Sequence, residues 1–221
     1  MPVIRKFNGC RIMNRAVLFI SGQPPAKLPD LNIFDKIYCT DQAYFYLYSK
    51  KIKPDVISGD FDNFDLKIIE DGIEVIETPD QDYTDFEKAL KILIERGFEE
   101  VHVYGGSGRE QDHYLGNLSV ACKYREKLSI IFFDDYSYYF FAEKETQLQG
   151  YKDRMISLYP FPVTRGITTE GLKYPLNDEG LIITGRIGIR NTAVDDVVKI
   201  TFKDGGLLIF IENRPKKGMI G

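Results

Sequence analysis

The sequence predicts an α/β protein: a parallel sheet with helices on both faces, followed by an all-β segment. Three observations carry this. Short apolar runs alternate with helical patterns from Ala16 to Phe133, the rhythm of a parallel sheet joined by crossover helices. Acidic or glycine-rich turns follow directly after several of those runs, where ligands sit in such sheets. From about Tyr138 the helical patterns vanish, and short alternating runs appear between glycines and turn dipeptides such as Asn177-Asp178 and Asp204-Gly205. That is the pattern of an antiparallel sheet or small sandwich.

The elements follow in order. Ala16–Ile20 reads as a buried strand, then a loop with three prolines, Pro24, Pro25 and Pro29. Ile37–Cys39 is a second strand ending at Thr40 and Asp41, and Ala43–Lys51 a helix stopped before Pro54. Val56 and Ile57 end a third strand, Leu66–Glu70 suggests a short helix, and Ile73, Val75 and Ile76 a fourth strand. The helix between Pro79 and Phe98 is the clearest. Thr84 and Glu87 form a capping box, and Gly97 stops the helix. Phe86, Ala89, Leu90, Leu93 and Ile94 make its inward face, with Glu87, Lys88, Lys91 and Glu95 outward. Val101–Tyr104 is a strand running into Gly105-Gly106-Ser107-Gly108, then a helix over Asp112–Lys127 and a strand at Ile130–Phe133. In the last part, strands are expected at Met155–Tyr159, Leu181–Thr184, Val197–Phe202 and Leu207–Ile211. The boundary is placed between Phe141 and Gly150, giving domains 1–142 and 143–221.

The 221 residues suffice for one large domain or two small ones. Hydrophobic content of 43% with 28% charged residues is that of a soluble globular chain. A net charge of −4 argues against a nucleic-acid-binding surface and leaves room for a local phosphate pocket. Cys10, Cys39 and Cys122 form no CxxC pair, so neither zinc nor a disulfide framework is signalled. The run Ala16–Ile20 is too short for a signal core or a membrane span. A cytoplasmic protein with no membrane or nucleic-acid partner is the expectation.

Acidic residues stand at the strand-to-helix junctions: Asp41, the pair Asp60 and Asp62, the group Asp80, Asp82 and Asp85, and Asp112. An extended chain would point Asp60 and Asp62 the same way. Two carboxylates about 5 Å apart repel by roughly 3 kcal/mol at an effective dielectric near 20. Magnesium suits such a pair, because it takes one or two carboxylates plus substrate phosphates. The alternative is an Asp-rich turn with helix caps. Gly105-Gly106-Ser107-Gly108-Arg109 resembles a phosphate cradle, with Arg109 offering a fork to phosphate. It lacks the Lys-Ser/Thr of a P-loop. His113 is either a general base or a loop anchor, and His102 lies within a strand. From the residues alone, the first half binds a nucleotide or polyphosphate through divalent metal.

The set ISGDFDN at Ile57–Asn63, TPDQDYTDFEKAL at Thr78–Leu90 and GGSGREQDHYLGNL at Gly105–Leu118 resembles the thiamine pyrophosphokinase family, and TTEGLKYPL at Thr168–Leu176 is similar to that family's thiamine-binding half. The resemblance runs over most of the chain from Tyr38 onward. It implies a Rossmann-like three-layer α/β/α domain that binds ATP, then a β-sandwich that binds thiamine, in a homodimer with its active site at the subunit interface. The implied reaction is attack of the thiamine hydroxyl on the β-phosphorus of ATP, giving thiamine diphosphate and AMP. Carried over residue by residue, the magnesium carboxylates and catalytic residues are Asp60, Asp62, Asp85 and Asp112. Asp41, Thr84, Ser107, Lys88 and Arg109 fall to ATP, and Gln81, Tyr174 and Asn191 to thiamine. The chain departs from the family pattern at Gln42-Ala43, where Gly-Gly is common, and in the spacing of Arg109 to Asp112, one residue longer. It departs again at Arg190-Asn191, where Ser-Asn is common, and at Tyr174, which is often Trp. The departure at Arg190 motivates a second reading, an ATP-dependent transferase for a related heterocyclic alcohol. A third, a non-catalytic nucleotide or thiamine sensor on the same scaffold, is disfavoured because all four carboxylates assigned to metal are present.

Overall fold

The structure is a computed structural model and describes residues 14–62 and 64–213. Cys10, the basic residues Arg5, Lys6 and Arg11, and Asn63 of the carboxylate motif lie outside the described residues. The described chain divides into two compact units, residues 14–135 and 136–213.

The first unit is a six-stranded parallel sheet: β1 (Arg15–Phe19), β2 (Lys36–Thr40), β3 (Val56–Gly59), β4 (Glu74–Glu77), β5 (Glu100–Tyr104) and β6 (Ser129–Phe133). Three helices connect them: α1 (Asp41–Ser49), α2 (Asp85–Glu95) and α3 (Gln111–Tyr124). Alternation along the strands sorts their side chains between the faces. Val17, Phe19, Cys39, Ile57 and Tyr104 pack with Ala43, Tyr44 and Leu47 of α1. On the other face Phe132 meets Phe86 of α2, and Tyr38 meets Phe98 and the guanidinium of Arg96. Helices on both faces explain why the central strands are near-continuous apolar runs. The sheet order is β4-β3-β2-β1-β5-β6. Successive strands step one way from β1 and then resume on its other side, so the winding reverses between β1 and β5. That reversal opens a crevice at the carboxyl ends of the strands.

Two local expectations change. The hydroxyl of Thr84 caps α2 by accepting from the Glu87 N–H at 3.2 Å, and Gly97 follows the helix at φ 76°. Glu87 and Lys88, however, are buried rather than outward. The 3.6-residue period sees only the sheet; here α3 covers Glu87, and the segment from Thr78 to Asp80 covers Lys88. Glu87 accepts from Lys123 Nζ at 2.7 Å and from the Tyr124 hydroxyl at 2.9 Å, stitching α2 to α3. The turn after β3 is likewise not extended. Phe61 adopts φ 57°, its ring is buried edge-on to Phe64, and the Asp62 N–H donates to Asp60 Oδ1 at 3.2 Å. Asp60 and Asp62 therefore do not follow the alternation of a strand.

The second unit is antiparallel throughout its strand pairs: β7 (Ser137–Phe141), β8 (Glu145–Gln149), β9 (Met155–Glu170), β10 (Glu179–Ile182), β11 (Gly188–Thr192), β12 (Val197–Thr201) and β13 (Asp204–Glu212). The 16-residue β9 pairs with β10, β11, β12 and β13. Only its first residues are legible in sequence, because Pro160 and Pro162 break the apparent strand. Leu158, Ile167, Leu181, Val198, Ile200, Leu207 and Ile209 fill the core.

Glu87 supplies the test of helix packing. Burial pushes its carboxyl up, but Lys123 and Tyr124 outweigh this and hold it below the usual carboxylate range. The unfolded chain then binds that proton more readily, so the contribution is present above the unfolded pKa and lost as pH falls through the folded one. Glu87→Gln is expected to cost about 2 kcal/mol at pH 7 in denaturant unfolding, with the gap closing in acid. An equal gap at pH 7 and at pH 3 would contradict this role.

Candidate active site

The carboxylates meet at the carboxyl ends of β2 and β3. Asp41 opens α1 and is 5% exposed. Its Oδ1 accepts from the Gln42 N–H at 2.6 Å. It presses so closely on β3 that a Cβ at Gly59 would lie 2.7 Å from its Cγ. Glycine is required there by proximity and not by backbone conformation. Burial pushes the Asp41 carboxyl up, and the charges of Asp85 and Asp60 add to this against the N–H groups of Gln42 and Phe61.

Asp60 is shifted the other way. The Asp62 N–H, the Gln81 amide and the charge of Lys88 hold its carboxyl below the usual range. Gln81 Nε2 donates to Asp60 Oδ2 at 3.2 Å, which joins the turn after β3 to the segment before α2. Lys88 locks that segment from within. Its ammonium donates to the carbonyls of Thr78 at 2.8 Å and Asp80 at 3.2 Å, and pairs with Asp85 Oδ1 at 2.8 Å. Neighbouring carboxylates with opposite shifts are a recurrent feature of acid–base and charge-handling sites. Two buried hydroxyls at these strand ends, Thr40 Oγ1 and Thr78 Oγ1, have no hydrogen-bond partner, and such orphans call for a ligand or water.

The crevice between β1 and β5 is built from glycines. The Ile20, Gly22 and Gln23 N–H groups donate to the carbonyls of Tyr104, Gly105 and Ser107 at 2.9, 2.8 and 2.7 Å. A Cβ on Gly22 would lie 2.1 Å from Gly105 O, and one on Gly105, at φ 80°, would lie 2.2 Å from Ile20 O. Arg109 Nη1 donates to Ser21 O at 3.0 Å. Phe19, Pro25, Gln42, Tyr46, Tyr104 and Arg109 are among the walls of a small open cleft. Sequence reading missed Phe19, Tyr46 and Tyr104, which look like ordinary core positions until the winding of the sheet places them at its switch point.

The structure thus brings Asp41, Asp60, Gln81, Asp85 and Lys88 into one network. Asp62 and Asp112 stand exposed beside their turns, and Asp112 Oδ1 accepts from the His113 N–H at 3.0 Å. Among the described residues no three His, Cys, Asp or Glu side chains gather into a cation cage. Exposed His113 lies 3.8 Å from Glu110, whereas His102 is buried against Glu100 at 3.0 Å. In the second unit Tyr174 is exposed, and Asn191 is buried beside it with its amide on the Tyr174 backbone.

Fold and edge together define an α/β protein with its ligand crevice at the switch point of a parallel sheet. Residues 31–132 match the thiamin pyrophosphokinase catalytic domain, and residues 143–207 match the thiamin pyrophosphokinase vitamin B1 binding domain. The chain belongs to the thiamine pyrophosphokinase family, a family of thiamine diphosphokinases. It is 29% identical to thiamine pyrophosphokinase 1 of Oryza sativa subsp. japonica over 68% of this chain and 63% of that protein. It is 24% identical to thiamine pyrophosphokinase of Bacillus subtilis over 88% of this chain and 97% of that protein. The crystal structure of yeast thiamin pyrophosphokinase shares the fold, with a TM-score of 0.79 at 17% identity over 92% of this chain and 87% of that one.

Asp41 yields a prediction opposite in sign to that for Glu87. Its raised pKa means the folded state holds the proton more tightly, so its contribution is present in acid and lost as pH rises through the folded value. Asp41→Asn is expected to raise the thermal midpoint at pH 7, by about 2–4 °C for each kcal/mol relieved, with the gain disappearing below about pH 4. A lowered midpoint at pH 7 would show that the carboxylate is stabilising.

Proposed function

We propose that this chain transfers the pyrophosphoryl group of ATP to the hydroxyl of thiamine, giving thiamine diphosphate and AMP. The observation that carries the proposal is the carboxylate edge of Asp41, Asp60 and Asp85, which lies within the span matching the family's catalytic domain. In this reading the first unit is a Rossmann-like ATP-binding catalytic domain, and the second a thiamine-binding β-sandwich. The protein works in the cytoplasm as a homodimer whose active site lies at the subunit interface.

The donor set fits magnesium held jointly with substrate, since that ion takes few protein carboxylates and completes its shell with phosphate and water. The raised carboxyl of Asp41, beside the charges of Asp85 and Asp60, is the feature a divalent cation would relieve. Asp60 and Asp85, with Asp62 and Asp112, would hold it. Once bound it supplies charge neutralisation to the phosphates.

The chain's own residues do the rest. Asp41, Thr84, Lys88, Ser107 and Arg109 hold the nucleotide. Arg109 keeps free donors for phosphate beyond the one spent on Ser21. Gln81, fixed on Asp60, sets the acceptor side of the site. Tyr174, with Asn191 on its backbone, receives thiamine, the exposed ring attracting the cationic thiazolium by about 0.5–2 kcal/mol. The acceptor oxygen bonds to the β-phosphorus as the bond to the bridging oxygen breaks, and AMP leaves in line. A related heterocyclic alcohol is the second reading, favoured by exposed Arg190 beside Asn191.

Asp60→Asn tests the assignment. Turnover of ATP with thiamine and magnesium is expected to fall at least about a hundredfold, with a thermal midpoint within a few degrees of the parent. Retained turnover with a large loss of stability would return Asp60 to a structural turn.

A further inference from the structure

Asn191 sits at an irregularity of β11, where the register with β9 shifts between Gly188 and Asn191. Arg190, at φ 58°, makes the kink, and its N–H is held by the Ser157 hydroxyl at 2.9 Å. A bulge of this kind re-aims the next side chain. The Asn191 side chain meets the segment that carries Tyr174. Its Oδ1 accepts from the Tyr174 N–H at 3.1 Å and from the Thr192 N–H at 2.9 Å, while its Nδ2 donates to Tyr174 O at 2.8 Å. An amide oxygen has two acceptor sites, and both are spent. Asn191 is 8% exposed and Tyr174 is 61% exposed. The same two segments are joined by Lys173 N–H to Thr192 O at 2.8 Å, by Val194 N–H to Gly171 O at 2.9 Å and by the Leu172–Ala193 bridge.

An amide that binds both the N–H and the carbonyl of one residue fixes that residue's backbone and leaves its ring free. We propose that Asn191 is a positioning residue: it serves acceptor binding through Tyr174, holding the aromatic ring as a preformed platform for a flat cationic heterocycle, and does not itself bind the acceptor. This rests on the reading of Tyr174 as part of the thiamine site. A substrate group seeking the Asn191 oxygen would have to break a hydrogen bond that already sets the platform.

A double-mutant cycle decides it, using the full chain with ATP, magnesium and thiamine. Tyr174→Leu and Asn191→Ala are each expected to raise KM for thiamine about tenfold with little change in KM for ATP. The double variant should match Tyr174→Leu alone, since a residue acting through the ring has nothing left to position. Thermal midpoints of all variants identify any loss of folding. Should Asn191→Ala fail to fold, Asn191→Asp retains the acceptor and loses the donor, and its effect should likewise vanish in the Tyr174→Leu background. Multiplied effects in the double variant would make Asn191 an independent contact and overturn the inference, as would an unchanged thiamine KM in Asn191→Ala. An unchanged thiamine KM in Tyr174→Leu would instead sink the platform reading on which the inference rests.

Discussion

The repulsion among Asp41, Asp60 and Asp85 is the constraint around which the first unit is arranged. Asp41 is buried with its charge resisted by burial and by both neighbours. Gly59 gives it room by having no side chain. Asp60 is pinned by Gln81 and the turn at Phe61, and Asp85 by Lys88. Glu87, in α2, is the contrast to Asp41. It too is buried, but a lysine and a tyrosine answer its charge. Glu87 is answered by side chains and serves packing; Asp41 is answered by backbone N–H groups alone and stands at the ligand edge.

The topology turns this local strain into a site. Because the sheet reverses its winding at β1, the loops after β1 and β5 part around a cleft while their backbones stay hydrogen-bonded through glycine contacts. The glycines that resemble a phosphate cradle therefore first permit two loops to touch. In the second unit the same economy appears at Asn191, where an irregular strand aims an amide at a neighbouring backbone and leaves an aromatic ring at the surface.

Much of this was legible in the sequence. The parallel sheet, its strand order in the chain, the cap at Thr84 and the acidic residues at strand ends all follow from periodicity and turn chemistry, because each depends on nearest neighbours along the chain. What escaped depends on tertiary packing. Glu87 and Lys88 read as solvent-facing because their cover comes from α3 and from the preceding loop. The Asp60–Asp62 pair read as extended because nothing in sequence betrays the left-handed Phe61. The length of β9 was hidden by its prolines. β7, β8 and β11 were missed: the aromatic run of β7 and the Gly-Ile-Arg-Asn-Thr run of β11 show no clean alternation, and the polar β8 reads as a domain boundary.

The central claim is that this edge positions the β-phosphorus of ATP for attack by the thiamine hydroxyl. Phosphorus NMR of the products formed by the purified protein with ATP, magnesium and thiamine tests it most directly. Thiamine diphosphate and AMP appearing together in equal amounts is the predicted result. ADP with thiamine monophosphate would place the attack on the γ-phosphorus and contradict the account, and thiamine binding without any product would make the carboxylate edge a sensor's rather than an enzyme's.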